Sequence, residues 1–284
     1  MIITIASGKG GTGKTTVAAS IALSLAAEQP TPPLFLDCDV EAPNAHLFLH
    51  PKLDEQKDVA LLIPLVDEAK CTHCGKCADA CQYHAIAVLG KKTLVFPQLC
   101  HGCGSCTALC PEKAITEIPD RMGVIERGQA LVGISFARGV LDVGEPMAVP
   151  VIRQLKKWVT AQPGQVVIRD APPGTSCPVV ETMRGSDYLL LVTEPTPFGL
   201  HDLRLAAQVG REMGIPSGVI INRENGSYPA LEEFCSENHL PVLLRIPFER
   251  VIAEGVAQGK TLVEIHPKYA DHFIRMFTQI ASLL

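Results

Sequence analysis

Short apolar runs recur along this 284-residue chain, and each ends on a polar or glycine-rich turn. Residues 1–6 form the first, a β-branched run that predicts a buried strand. Runs at 34–36, 166–168, 189–193, 219–221 and 243–247 repeat the pattern, with shorter β-like runs over 123–134. Helical stretches lie between them: an Ala/Leu/Ile-rich one over 17–27, one over 147–159 entered through Pro146 and Pro150, and one over 199–213. The last stretch carries Phe273, Ile274, Phe277, Ile280 and Leu284 at helical spacing, which predicts a helix packed on the core. Strands alternating with helices predict an α/β fold with a mostly parallel, doubly wound sheet.

The alternation breaks between Pro64 and Ile118. This stretch predicts an inserted unit, 64–118, inside a larger domain made of 1–63 and 119–284. Eight of the eleven cysteines fall in it. Such crowding points to metal rather than to disulfides in a reducing cytosol. Cys71-x2-Cys74-x2-Cys77-x3-Cys81 is followed by Cys100-x2-Cys103-x2-Cys106-x3-Cys110-Pro111, an internal repeat at 29 residues in which Ala85-Ile86 answers Ala114-Ile115. Paired C-x2-C motifs can also hold zinc. Four cysteines per run at this spacing resemble the bacterial two-cluster ferredoxins, small α+β proteins. The resemblance implies two [4Fe-4S] clusters, with the last cysteine of each run serving the other cluster. One cluster would then take Cys71, Cys74, Cys77 and Cys110, and the other Cys81, Cys100, Cys103 and Cys106. Gly75, Gly102 and Gly104 would let backbone amides approach the sulfides. Gln82 follows Cys81 where Pro111 follows Cys110, a departure that touches no ligand. His73 and His101 lie inside the loops and read as exposed neighbours rather than ligands.

Between the first strand and the first helix stands Gly8-Lys9-Gly10-Gly11-Thr12-Gly13-Lys14-Thr15-Thr16. Strand, glycine loop and helix form the context that a G-x-x-x-x-G-K-[ST] phosphate loop needs. Gly10, Gly11, Thr12, Gly13 and Thr16 supply a cradle of backbone amides at a helix N-terminus. Lys14 would reach the β- and γ-phosphates, and the Thr15 hydroxyl would sit on Mg²⁺. The strand at 34–36 ends on Asp37-Cys38-Asp39, with Asn44 beyond it, and the strand at 166–168 runs into Asp170-Ala171-Pro172-Pro173-Gly174-Thr175. Carboxylates at the carboxyl ends of parallel strands face the ligand crevice.

Taken together, G-K-G-G-x-G-K-T, D-x-D-x-x-x-x-N and D-x-P-P-G-T resemble the MinD/Mrp superfamily of P-loop ATPases, relatives of the nitrogenase iron protein. That resemblance implies that Lys9 reaches across a dimer interface to the partner's nucleotide. It implies that Asp39 positions or activates the attacking water, that Asp37 and Asp170 lie at the Mg²⁺ with Thr15, and that Gly174 senses the γ-phosphate. Asn222 would read the adenine, with Pro247 and Phe248 near the base. Local chemistry alone also allows a capped turn at 37–44 and a turn start at Asn222. Cys177 falls where the nitrogenase iron protein has a cluster ligand. One such cysteine per chain would supply only two of the four thiolates a shared cubane needs, so it reads as a small half-buried thiol. Cys38 and Cys235 read as structural.

A net charge of −5 gives no broad basic surface, so no nucleic-acid partner is expected. The N-terminus enters the first strand without a basic leader, and the apolar runs are too short to span a bilayer, so a cytoplasmic protein is expected. The tail has one Arg and no lysine cluster, so no stable membrane insertion is expected. The inserted stretch carries five Lys and five acidic residues, which gives no bulk steering toward a charged partner. The expected activity is slow, partner-stimulated ATP hydrolysis to ADP and phosphate. It would occur in a homodimer, or a heterodimer with a paralogue, coupled to electron transfer toward an unidentified redox protein. Two alternatives stand beside it: an iron–sulfur scaffold or carrier of the Mrp type, and a ParA/MinD-like spatial organiser with redox sensing.

Overall fold

A computed structural model describes all residues, Met1–Leu284. The chain starts with β1 (Ile2–Ala6), α1 (Lys14–Glu28), β2 (Leu34–Asp37) and a single turn, α2 (His46–Leu49). A long strand, β3 (Lys52–Val66), leads into a small region of α3 (Lys76–Ala80), β4 (Ile86–Leu89), β5 (Lys92–Val95) and α4 (Ser105–Leu109). The chain returns along β6 (Ile115–Gln129) to β7 (Ser135–Leu141), α5 (Val149–Trp158), β8 (Val167–Asp170) and α6 (Cys177–Met183). It then forms β9 (Tyr188–Thr193), α7 (Pro197–Glu212), β10 (Ser217–Glu224), α8 (Pro229–Glu237) and β11 (Val242–Pro247), and ends with α9 (Arg250–Ala257), α10 (Leu262–Ile265) and α11 (Lys268–Ala281).

Nine strands form one sheet in the order β11-β10-β9-β1-β8-β2-β7-β6-β3. β11 through β7 are parallel, and only β6 and β3 run antiparallel to their neighbours. Because side chains alternate across a strand, both faces of the central strands are apolar and both are covered. Ile3, Ile5, Phe35, Ile168, Leu190 and Ile220 pack under α1, α10 and α11. Leu189, Leu191, Val219 and Ile221 pack on the opposite face under α6, α7 and α8. Leu34, Leu36 and Val167 share that second face with α5. The C-terminal helix buries Tyr269, Phe273, Met276 and Ile280 in the core, so its apolar face is occupied by the chain's own packing.

The expected edges of the inserted unit, 63/64 and 118/119, fall inside β3 and β6. Ile63 pairs with Ile118 and Pro64 with Glu117 as rungs of one ladder. The sequence pattern misses β3 because its first half, Lys52–Asp58, is charged and mostly exposed, and because it contains Pro64. An edge strand tolerates both features. β6 pairs with β7 only from Gly123 to Gln129, so its first half and the end of β3 stand clear of the sheet as a two-stranded arm. Leu141 of β7 lies past the rung that joins Arg138 to Asp37, and Gly123 opposes Leu141. The arm therefore leaves the sheet at the carboxyl-terminal edge of the parallel strands, where Asp37 and Asp170 also end.

Candidate functional site

The loop between β1 and α1 closes around a crevice lined by Gly10–Thr16, Asp39 and Asn44. Gly13 caps α1 with φ +87°, and a Cβ there would stand 2.3 Å from the Asn222 amide nitrogen. Only glycine meets both demands. Lys14 is buried, and its Nζ lies 2.6 Å from one carboxylate oxygen of Asp170. The Thr15 hydroxyl donates to the other oxygen at 2.6 Å. The loop thus already gathers Lys14, Thr15 and Asp170. The Thr12 hydroxyl is buried with no partner, a polar group free for a ligand.

Asp37 is fully buried and accepts from the Ala45 amide at 3.0 Å and the Asp39 amide at 3.2 Å. It therefore braces the 37–45 loop and, unlike Asp39, does not line the crevice. Burial, aided by the charge of Asp170, pushes its carboxyl up to about 7. Burial likewise pushes Asp39 up to about 6, against the pull of Lys14. Two carboxyls that give up their protons reluctantly beside Asp170 and Lys14 suit a site completed by a divalent cation.

A second cavity adjoins the first. Asn222, Pro247 and Phe248 line it with Val17, Ile252 and Leu262. The Asn222 amide donates to the Thr12 carbonyl at 2.7 Å, and its oxygen accepts from the Arg223 amide at 3.0 Å. Asn222 is thus tied to the phosphate loop as well as placed at this cavity. Lys9 is half-exposed at the mouth, its Nζ 3.3 Å from Glu194, which also accepts from Arg223 at 2.6 Å. The sequence pattern did not single out Glu194 or Arg223. The only available signal was the polar Glu194-Pro195 that ends β9.

The eight clustered cysteines separate into two further cavities. One is lined by Cys71, Cys74, Cys77 and Cys110, and the other by Cys81, Cys100, Cys103 and Cys106. The 29-residue repeat is also a repeat of backbone. His73 and Gly102 share a left-handed φ of 54° and 62°, Gly75 and Gly104 of 81° and 72°, and His84 and Lys113 of 52° and 50°. α3 and α4 begin at equivalent positions. The Ala85 amide donates to the Cys81 sulfur at 3.2 Å, and the Ala114 amide donates to the Cys110 sulfur at 3.3 Å. His73 reaches the Thr93 hydroxyl at 3.3 Å, and His101 stacks on Tyr83. No group of three or more His, Cys, Asp or Glu converges tightly enough for a single metal ion.

Of the remaining cysteines, Cys38 and Cys235 are buried, and burial raises their thiols to about 12 and about 11. Cys177 is exposed at the first turn of α6, not half-buried. No helix of the chain is long and apolar enough to cross a membrane.

A parallel α/β sheet with a glycine loop between its first strand and first helix, and with carboxylates at neighbouring strand ends, defines a P-loop nucleotide-binding domain. Residues 3–263 match the family described as the CobQ/CobB/MinD/ParA nucleotide binding domain, and the chain belongs to that family. It carries a MinD/ParA-like ATPase domain. Two uncharacterized proteins of Methanocaldococcus jannaschii are each 28% identical to it. One aligns over 95% of this chain and 93% of its own length, the other over 100% and 98%. The fold is similar to that of the septum site-determining protein MinD of Pyrococcus horikoshii, solved with Mg-ADP, with TM-score 0.59 and 22% identity over 99% of this chain and 96% of that one. It is also similar to a ParA family ATPase of Chlorobium tepidum, with TM-score 0.54 and 13% identity over 96% and 97%.

Proposed function

We propose that this chain is an iron–sulfur ATPase, in which ATP binding and slow hydrolysis in a nucleotide-dependent dimer gate electron transfer through two [4Fe-4S] clusters. The observation that carries this reading is the sorting of eight cysteines into two cavities, each with three from one run and the fourth from the other. Four thiols are the donor set of such a cluster, and the exchanged fourth ligand is the two-cluster pattern. Amides aimed at Cys81 and Cys110 support thiolates in the way that outer hydrogen bonds tune cluster ligands. When bound, the clusters would supply one-electron chemistry, and the protein's part is to hold them and shape their exposure.

On the nucleotide side, the amides of Gly10–Thr16 and the ammonium of Lys14 would hold the phosphates. Thr15, Asp37 and Asp170 would face Mg²⁺. Lys14 and Thr15 both rest on Asp170 here, so nucleotide would exchange those bonds for phosphate and metal. Asp39 would orient the attacking water. Lys9 would act on the partner's nucleotide, which requires it to leave Glu194. Asn222, Pro247 and Phe248 would form the base site. The partner copy is a second identical chain or a paralogue, and the output is a redox protein not yet identified.

The test is stopped-flow oxidation of the dithionite-reduced, iron-loaded chain by an artificial one-electron acceptor, with MgATP and with MgADP. Rates differing several-fold are expected, and equal rates would contradict gating. A cluster-carrier role is the second reading, favoured by the exposure of Cys74 and Cys103. Retention of iron in the presence of an apo-ferredoxin acceptor excludes it.

A further inference from the structure

Helix α5 touches every part that a gate would need. On one side it meets α6, the helix that follows the Asp170–Ser176 loop. Arg153 lies 3.1 Å and Lys156 3.7 Å from the Glu181 carboxylate of α6. The Lys156 ammonium also donates to the Glu181 carbonyl, and to the Arg184 carbonyl at 3.0 Å. On its buried face α5 meets the other nucleotide arm. A Cβ at Gly139 of β7 would stand 2.7 Å from Val40 and 2.9 Å from Val151, so glycine lets the residue after Asp39 and a core residue of α5 share one contact. On its third side α5 meets the arm that carries the cysteines, where the Gln154 amide donates to the Ala60 carbonyl of β3 at 3.3 Å.

The next residue along the arm is the seat of one cysteine cavity. Gly102 lies against Leu61, and a side chain at that position would meet it at 2.7 Å. Leu62 and Pro64 line the cavity of Cys81, Cys100, Cys103 and Cys106. The cavity of Cys71, Cys74, Cys77 and Cys110 begins farther out, at Val66 and Ile115. Val40, Val59, Met122, Val151, Ile152 and Leu155 belong to one apolar cluster, so the Asp39 arm, α5 and the hairpin base are packed into the same interior, while α6 joins them through its ion pairs with α5. A close-packed interior transmits a shift of one wall to the others.

We propose that α5 relays the nucleotide state to the inner cluster, with Gln154 as a positioning residue that fixes the β3 rung beneath Gly102. This rests on the reading that the chain binds ATP and two clusters. When nucleotide and metal draw Lys14 and Thr15 away from Asp170, the Asp170 loop moves α6. Glu181 carries α5 with it, and Gln154 passes the displacement to Ala60. The inner cluster, held by Cys81, Cys100, Cys103 and Cys106, responds, and the outer one responds less.

The test compares electron paramagnetic resonance spectra of the reduced, iron-loaded full chain with MgADP and with a non-hydrolysable Mg–ATP analogue. The inner-cluster signal is assigned by its loss in Cys103→Ser. Wild type should show a nucleotide-dependent change in that signal. Gln154→Met keeps the side-chain length but has no donor. It should cut the change at least fivefold, with iron content and basal ATPase unaltered. Gln154→Lys can still donate and should restore much of it, and the exposed Lys157→Ala should behave as wild type. A change that survives Gln154→Met, or that Gln154→Lys fails to restore, overturns the relay alone. A wild-type chain with loaded clusters and one spectrum in both nucleotides overturns gating together with the relay.

Discussion

The nucleotide domain and the cysteine region are held together by different physics. The sheet is packed on both faces by clusters of 28, 14 and 13 buried residues, so hydrophobic burial is enough to define it. The cysteine region has a cluster of three, Ile63, Ala85 and Cys100, and its two helices bury no residue. A segment of that size cannot offset its own ordering entropy with so small a core, and such units are ordinarily stapled by metal. The contrast teaches where to look for each part's folding energy: in side-chain packing for the sheet and, if the proposed clusters are bound, in thiolate ligation for the arm's tip.

The largest expected effect breaks the two regions apart. Stripping iron with a chelator should raise amide exchange across 67–114 by about two orders of magnitude or more, and leave β1, β8, β9 and β10 protected. Exchange that stays slow at the tip would show that its few buried residues suffice. Next comes the nucleotide crevice. Lys14→Ala removes a phosphate-facing charge and leaves Asp170 buried with the Thr15 hydroxyl but without its charged partner, so ATP hydrolysis should fall about 10²–10³-fold. Phosphate-release assays measure this, and cluster content should be unchanged.

A matched pair of truncations sharpens the contrast in packing. Phe273→Ala, in the largest cluster, should cost about 3–5 kcal/mol in denaturant unfolding of the sheet. Leu89→Ala, exposed on β4, should change it by under about 0.5 kcal/mol.

The smallest effect is a pH dependence. Burial raises Asp37 to about 7 and Asp39 to about 6 from 3.8, so folding disfavours their charged forms. Their favourable contribution is complete below 3.8 and is lost as pH rises through about 6–7. A divalent cation offsets that loss by favouring the carboxylates. The rise in Tm on adding MgADP should therefore grow by a few degrees between about pH 5.5 and pH 8. A rise that is flat across this range would place the two carboxyls away from the metal.

The contrast also explains what could be read in advance. The central strands are apolar on both faces, so β1, β2, β8, β9, β10 and β11 were visible as runs. The glycine loop, Asp39 and Asp170 were visible because phosphate and metal chemistry restrict residue type and spacing. The cysteine region was visible through spacing alone, since its burial pattern carries almost nothing. β3 was invisible because an edge strand on a solvent-facing arm obeys neither rule. Glu194, Arg223 and Gln154 were invisible for another reason. Each is bonded to a partner far along the chain, Lys9 185 residues before Glu194 and Ala60 94 residues before Gln154, and no local pattern encodes such a pairing.

The central claim is that the two cysteine runs exchange their fourth ligands around two clusters. Iron and sulfide analysis of the anaerobically purified chain, with resonance spectra of Cys74→Ser, Cys110→Ser and Cys103→Ser, tests it most directly. The account predicts about eight iron and eight sulfide per chain. It also predicts that Cys110→Ser perturbs the same signal as Cys74→Ser and leaves the one lost in Cys103→Ser. Zinc in place of iron, or a Cys110→Ser chain that instead loses the signal of its own run, would contradict it.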